Sequence, residues 1–322
     1  MMKKYRFVAT FLLAAMLLVI GCGGTKPAPD AAKQDPTPAP AAQTERVVKH
    51  FMGESKVPAT PQRVVVLDTG ELDSMVALGI KPVGAVTPFQ DGDFPEYLKG
   101  KLDGVTKVGT ISQPNLEAIA ALKPDLILSS ALRHKNIYDK LSQIAPTVFT
   151  EKVGVAWKDN FKVHAEAVGK QAEAAKIMAD YDKRTAEIKQ KLGDKSGKLT
   201  ISIARGLSDH VRIYMQDTFV HTVVTDAGLA RPAAQNKPVF MEQATEERIP
   251  DLEGDMLVYT QFRGADKKDT MIVNLMKSPL WQNLNVAKAG KVYEMSDDHW
   301  MLGIGITAAN RVLDDLVKIL PQ

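Results

Sequence analysis

The stretch PQRVVVLDTGELDSMVALGIKPVGAV, residues 61–86, decides the fold. Residues 63–68 form a continuous aliphatic and β-branched run, the pattern of a strand buried on both faces of a parallel sheet. Residues 71–78 then predict a helix, and Gly79 supplies its stop. Residues 81–86 predict a second strand, so the stretch reads strand–helix–strand. The pattern continues downstream with a helix over 116–122 closed by Pro124, a strand over 125–129 and a helix over 137–144. Upstream, residues 47–52 predict an outer strand, and Pro58 and Pro61 mark the turn between them. Alternating strands and helices predict a mostly parallel α/β lobe.

A different pattern follows. Over 158–192, Phe161, Ala165, Val168, Ala172, Ala175, Met178 and Tyr181 recur at threes and fours, which predicts a long amphipathic helix. At 1.5 Å per residue it spans about 50 Å, more than a compact lobe needs, with Gly169 as the place for a kink. A second α/β pattern then runs to the end. It has strands at 199–204, 211–214, 256–260 and 291–295, and helices at 218–227, 271–277 and 306–320. The expected organisation is a lobe over 46–157, a connector over 158–193 and a lobe over 194–322.

The first 45 residues differ from the rest. Lys3, Lys4 and Arg6 precede an apolar run from Phe7 to Ile20, too short for a good spanning helix and typical of a signal peptide over 1–21. The run ends Val19-Ile20-Gly21-Cys22, which resembles the bacterial lipobox. That resemblance implies cleavage before Cys22 and lipidation there, with two acyl chains on the thioether for a stable anchor. Residues 23–45 hold five prolines and no aromatic residue, so 22–45 is expected to be a flexible tether. The chain carries 41 Lys+Arg against 38 Asp+Glu. The three basic residues of 1–21 account for the whole excess, leaving 38 against 38, so no nucleic-acid partner is expected. Cys22 is the single cysteine, which excludes a disulfide or a thiolate metal site in the folded part.

Several segments together resemble the family of ferric-siderophore and vitamin B12 binding proteins. In the first half these are Pro61-Gln62-Arg63-Val64-Val65-Val66-Leu67, Leu78-Gly79-Ile80-Lys81-Pro82-Val83-Gly84, Val108-Gly109, Pro114-Asn115-Leu116-Glu117-Ala118-Ile119 and Leu122-Lys123-Pro124-Asp125-Leu126-Ile127. In the second they are Gly228-Leu229-Ala230-Arg231-Pro232, Glu246-Glu247-Arg248-Ile249, Pro279-Leu280-Trp281 and the strand at Val292. The similarity covers about residues 44–320. It implies two Rossmann-like lobes joined by a single long connector helix, with ligand held between them. It also implies an extracytoplasmic receptor that hands cargo to an ABC permease driven by a cytoplasmic ATPase; with the lipobox, a lipid-anchored one, and with the ligand site within one chain, a monomer.

Ligands of open α/β sheets bind beyond the carboxyl ends of the strands. That rule nominates Asp68-Thr69-Gly70, Thr87-Pro88-Phe89, Arg133, Arg205, Arg263 and His299-Trp300. By the resemblance, Arg133 and Trp300 match positions that contact ligand. Alternation along 211–214 puts His210, Arg212 and Tyr214 on one face, and Trp157 is a further candidate aromatic. The competing roles are an inter-lobe salt bridge for Arg205, core packing for Trp300 and a solvated face for residues 210–214. Arginines suit a ferric siderophore. The chelator encloses the Fe³⁺ with its own oxygens, so no direct metal ligand and no cofactor is needed, and the rigid five-donor guanidinium fits the anionic shell outside. Citrate-based carboxylate or citrate–hydroxamate chelates are the preferred class. Glu117 and Glu247 match, by the resemblance, one acidic position per lobe that docks on permease arginines. Their competing role is to favour a helix start through the macrodipole.

Other functions find less support. The six histidines form no H-x-H or H-E-x-x-H cluster, against a zinc or manganese receptor. No G-x-S-x-G, P-loop or thiol nucleophile points to an enzyme of the cell envelope. Haem would want an axial His or Tyr, which His299, His210 and Tyr214 leave open. Cobalamin would favour an aromatic, uncharged cleft. Both remain alternatives.

Overall fold

The computed structural model describes residues 44–90, 92–262 and 270–321. The signal segment, Cys22, the tether as far as residue 43 and Arg263 lie outside the described residues.

The described residues begin with an antiparallel hairpin, β1 (Glu45–His50) and β2 (Gly53–Pro58). The first lobe follows with β3 (Val64–Val66), α1 (Thr69–Ala77), β4 (Gly84–Thr87), β5 (Thr106–Thr110), α2 (Leu116–Ala121), β6 (Leu126–Ser130), α3 (Ala131–His134), α4 (Tyr138–Ser142) and β7 (Thr147–Thr150). Its five strands are all parallel, in the order β5-β4-β3-β6-β7. Val64, Val65 and Val66 are fully buried because helices cover both faces, as the unbroken aliphatic run requires. The hairpin covers the β7 edge: Phe51 N donates to Phe149 O at 3.0 Å and Ser55 Oγ to Thr147 O at 2.8 Å.

The expected long helix is two helices. α5 (Trp157–Val168) ends at Gly169, whose φ of 72° only glycine adopts without strain, and α6 (Gln171–Leu192) starts two residues on. The break is built in. Arg46 reaches over from the hairpin and donates to the carbonyls of Ala59 (2.7 Å) and Ala167 (2.9 Å), in the space a Cβ at position 169 would need. The long connector is therefore α6, about 33 Å from end to end.

The second lobe holds β8 (Ile201–Gly206), β9 (Val211–Tyr214), α7 (Phe219–Asp226), β10 (Met241–Gln243), β11 (Met256–Gln261), α8 (Met271–Leu275), α9 (Pro279–Asn283), α10 (Asn285–Lys288) and β12 (Val292–Glu294). Its sheet runs β10-β9-β8-β11-β12, with β8, β11 and β12 parallel and β9 antiparallel to both neighbours. The last helix, α11 (Ile306–Ile319), buries Ile306, Val312, Leu313 and Leu316 against α1 and α5 of the first lobe, α7 of the second and α6 between them.

The lobes are also clasped by polar bonds at their junction. Trp157 Nε1 donates to Thr222 Oγ1 at 2.8 Å. Asp226 accepts from Lys158 (2.5 Å) and from the Tyr181 hydroxyl (2.8 Å). Arg184 on α6 donates to Asn310 and pairs with Asp314 on α11.

Candidate functional site

Each sheet reverses its direction of growth once. In the first the reversal lies between β3 and β6, and in the second between β8 and β11. Such switch points open a crevice beyond the carboxyl ends of the strands, and each one here holds an arginine bonded to an aspartate.

In the first lobe the chain leaves β3 through Asp68, the N-cap of α1. Its Oδ1 accepts the Thr69 amide at 2.7 Å. Its Oδ2 accepts from Arg133 Nε at 2.8 Å, from the short helix that follows β6. The Asp68 side chain is fully buried and that of Arg133 is about one-third exposed, at 36%. The bond uses Nε alone, so both terminal nitrogens of Arg133 make no bond among the described residues. The Asp68 carboxylate raises the Arg133 guanidinium further above its ordinary range, and it stays charged. Leu132 beside it is exposed.

In the second lobe Arg205, near the end of β8, is 8% exposed. Asp297, three residues beyond β12, grips it by two bonds, Nε–Oδ1 at 2.7 Å and Nη2–Oδ2 at 2.5 Å. Thr260 Oγ1 adds a 2.8 Å bond to the same carboxylate. Nη1 points to the Tyr214 hydroxyl at 3.5 Å, and the guanidinium lies 4.7 Å above the Phe262 ring. Burial works against the Arg205 charge, but Asp297 and Tyr214 outweigh it and hold the group above its ordinary range. Arg212 stands directly across from Arg205 on β9. Its Nε donates to His210 Nε2 at 3.0 Å, which leaves its terminal nitrogens unbonded among the described residues. Phe240, half exposed, packs edge-on to Tyr214 at 5.4 Å.

The two lobes meet beside these arginines. Phe89, beyond β4, packs edge-on against Phe262 at 5.4 Å. The Glu96 amide donates to Asp298 Oδ2, and Thr69 Oγ1 to Leu302 O at 2.6 Å.

Other expectations change. Trp300 is 1% exposed, with its indole N–H on Asp315 at 3.1 Å, so it packs in the core and does not line an open cleft. Trp157 is likewise buried, edge-on to Tyr181 and Phe219. Both indoles find a partner inside the protein, which is what full burial of a tryptophan demands. His299 turns away as well, with Nε2 on the Asp315 carboxylate at 2.7 Å. That carboxyl is held well below its usual range by His299, Lys318 and Trp300 against the cost of burial. His210 has both ring nitrogens engaged, Nδ1 on Asp209 and Nε2 on Arg212. Tyr214 is buried, and its hydroxyl faces Arg205. None of the three groups that left haem open thus presents an unengaged atom at an open site. Among the described residues no group of three His, Cys, Asp or Glu is placed to hold a metal.

Asp297 and Phe262 are the residues that sequence reasoning passed over. Both sit just past strand ends, where the topological rule looks. Glu117 and Glu247 are exposed, each in the first turn of its helical segment, and neither forms an ion pair among the described residues. The hydroxyl of Thr245 lowers the Glu247 carboxyl.

Comparison with known proteins agrees with this fold. The periplasmic binding protein family profile matches residues 64–299. The chain is 38% identical to the probable siderophore-binding lipoprotein YfiY of Bacillus subtilis, over 98% of each chain. It is 30% identical to the Fe(3+)-citrate-binding protein YfmC of the same organism, over 98% of this chain and 97% of that one. The crystal structure of Staphylococcus aureus SirA complexed with staphyloferrin B superposes with a TM-score of 0.76 at 33% identity, covering 85% of this chain and 97% of that one. No helix among the described residues is long and apolar enough to cross a membrane.

Proposed function

We propose, because this chain belongs to the periplasmic binding protein family, that it is the extracytoplasmic receptor of an ABC importer and captures a ferric siderophore. Citrate-based carboxylate and citrate–hydroxamate chelates are the preferred cargo. The relatives named for a siderophore and for Fe(3+)-citrate support that class. The observation that carries the reading is Arg133. Its Nε is pinned by a buried aspartate while its two terminal nitrogens make no bond among the described residues at a switch point. A guanidinium held this way is pre-aimed for a bidentate carboxylate and loses little side-chain entropy on binding.

Arg205, held from behind by Asp297, and Arg212 across the strand pair would meet the same anionic shell from the second lobe. Leu132, Phe240 and the Phe89–Phe262 pair offer apolar surface for the methylene arms of the chelator. Fe³⁺ enters as part of the cargo, enclosed by its chelator. Glu117 and Glu247 would dock one lobe each on the permease, whose cytoplasmic ATPase drives release. Cys22 would carry the lipid anchor, with the protein working as a monomer on the outer face of the cell membrane.

Isothermal titration with ferric citrate, a ferric citrate–hydroxamate, a ferric trihydroxamate, haem and cyanocobalamin tests this. Saturable binding of a ferric citrate-type chelate, lost in Arg133→Ala, is expected. Binding of haem or cobalamin alone would overturn the cargo.

A further inference from the structure

Behind the Asp68–Arg133 pair, on the same helix α1, lies a buried acid that plays no part in the site described above. Glu71 is 1% exposed. One of its oxygens meets its own backbone amide, and Oε2 has no partner among the described residues. Facing it from α5 is His164, 2% exposed. Ser74 fixes the tautomer of that ring. Its hydroxyl donates to Gly70 O at 2.8 Å, so at 2.9 Å it accepts from His164 Nδ1. The ring proton therefore sits on Nδ1, and Nε2 presents a lone pair. No group among the described residues meets that lone pair, and the nearest Glu71 oxygen, Oε1, is 3.8 Å away. This separation, to Oε1, is too long for a hydrogen bond, so the two atoms left to be satisfied are Oε2 of Glu71 and Nε2 of His164.

Between the two groups is a small pocket with room for a single water. Gly70, Val153, Trp157, Asn160 and Ile304 complete its lining. A carboxylate here would be a buried charge with no cation bonded to it, which is costly; a carboxylic acid can donate. The other charged groups that bear on Glu71 are Asp68 and Arg133, while the Ile304 segment on its remaining side brings no charge.

We propose that this pocket is a built site for one ordered water, which accepts the proton of the Glu71 acid and donates to His164 Nε2. The bridge holds the pair neutral and keeps a second carboxylate away from Arg133. Protonation behaves accordingly: burial and the nearby Asp68 carboxylate push Glu71 up to about 8, and burial pushes His164 down to about 3. A consequence, which rests on the cargo reading above, is that an anion on Arg133 and an ionised Glu71 oppose each other. Chelate affinity then declines as pH rises through the Glu71 range.

Two measurements test this. A crystal structure at a resolution that orders waters should show one within hydrogen-bond distance of both Glu71 and His164 Nε2. A dry pocket, or a direct Glu71–His164 bond, overturns the site. Ferric citrate–hydroxamate affinity should weaken several-fold from about pH 7 to about pH 9 in the wild type and stay flat in Glu71→Gln. An equal decline in both overturns the linkage. If Glu71→Gln does not fold, the infrared carbonyl band of a protonated carboxyl in the wild type at neutral pH decides instead, and its absence sinks the proposal. If the wild type binds no chelate at any pH, the cargo reading fails, and the water site is still judged by the crystal structure.

Discussion

Asp73 occupies the place where a side chain on Gly305 would stand. A Cβ at position 305 would come within 2.5 Å of the Asp73 carboxyl. The carboxyl instead accepts the amides of Thr307 (2.8 Å) and Ala308 (2.9 Å), with Tyr97 Oη donating to it at 3.0 Å. An aspartate of the first lobe thus caps the helix that closes the chain, across more than two hundred residues. Asp73→Ala strands two buried amides and should cost about 2–4 kcal/mol. Gly305→Ala should cost a similar amount through the clash. Urea denaturation of each variant checks both, and a shift in midpoint too small to resolve would refute the capping role.

Arg133 tests the pre-aimed fork. Arg133→Lys keeps the charge but loses the paired terminal nitrogens, and should weaken chelate binding about tenfold or more. Arg133→Ala should do at least as much. It also leaves the buried Asp68 without its cation, so thermal stability should fall with affinity. Calorimetric titration and melting curves on the same samples separate the two effects.

Arg205 and Asp297 are buried as a pair, so breaking them singly and together should differ. Asp297→Ala leaves a nearly buried guanidinium unpaired and should cost about 3–5 kcal/mol. The double variant Arg205→Met with Asp297→Leu should regain most of that stability, because a buried ion pair can be replaced by packed apolar groups. Chelate binding should not return with it. Recovery of binding in the double variant would remove Arg205 from the ligand site.

The Glu71–His164 pair sets opposing limits on stability. Glu71 is raised from 4.5 to about 8 on folding. Its contribution is full below pH 4.5 and is lost as pH rises towards 8. His164 is lowered from 6.5 to about 3, so its contribution is full above pH 6.5 and lost as pH falls towards 3. Glu71→Gln should therefore gain on the order of a few kcal/mol over the wild type at about pH 8 and little at about pH 5. Chemical denaturation at the two pH values measures the difference.

Glu117 and Glu247 predict a split between capture and transport. Reversing both charges, Glu117→Arg with Glu247→Arg, should leave chelate affinity in solution unchanged and reduce iron uptake by cells at least tenfold. Unchanged uptake would return both residues to the role of helix-start charges.

Much of the frame was legible in the sequence because it rests on local pattern. The triple valine of β3, the α1 stop at Gly79 and the alternation of both lobes follow from side-chain period and turn chemistry. The short strands β5 and β7 were not legible, since four or five residues with polar neighbours carry little periodic signal. Gly169 was legible as the place for a kink, but a full break there needed knowledge of Arg46, which arrives from 123 residues upstream. Arg133, Arg205 and Asp68 were nominated by their position at strand ends, but the pairing of each arginine with its aspartate was not. Asp68 is 65 residues from Arg133, and Asp297 is 92 from Arg205. The two tryptophans misled for a related reason. Whether an indole faces a cleft or the core depends on which hydroxyl or carboxylate the tertiary fold brings to its N–H, Thr222 for Trp157 and Asp315 for Trp300.

The position of α11 bears on how the protein comes into being. The helix that packs against α1, α5, α6 and α7 spans Ile306–Ile319, and its cap waits in the first lobe. A chain that crosses a membrane N-terminus first cannot set this keystone until nearly all of it has passed through. Until then the junction between the lobes lacks its central apolar face, and the chain stays loose enough to thread. Under the export proposed above, completion of the fold would fall late in translocation, with long-range contacts formed last.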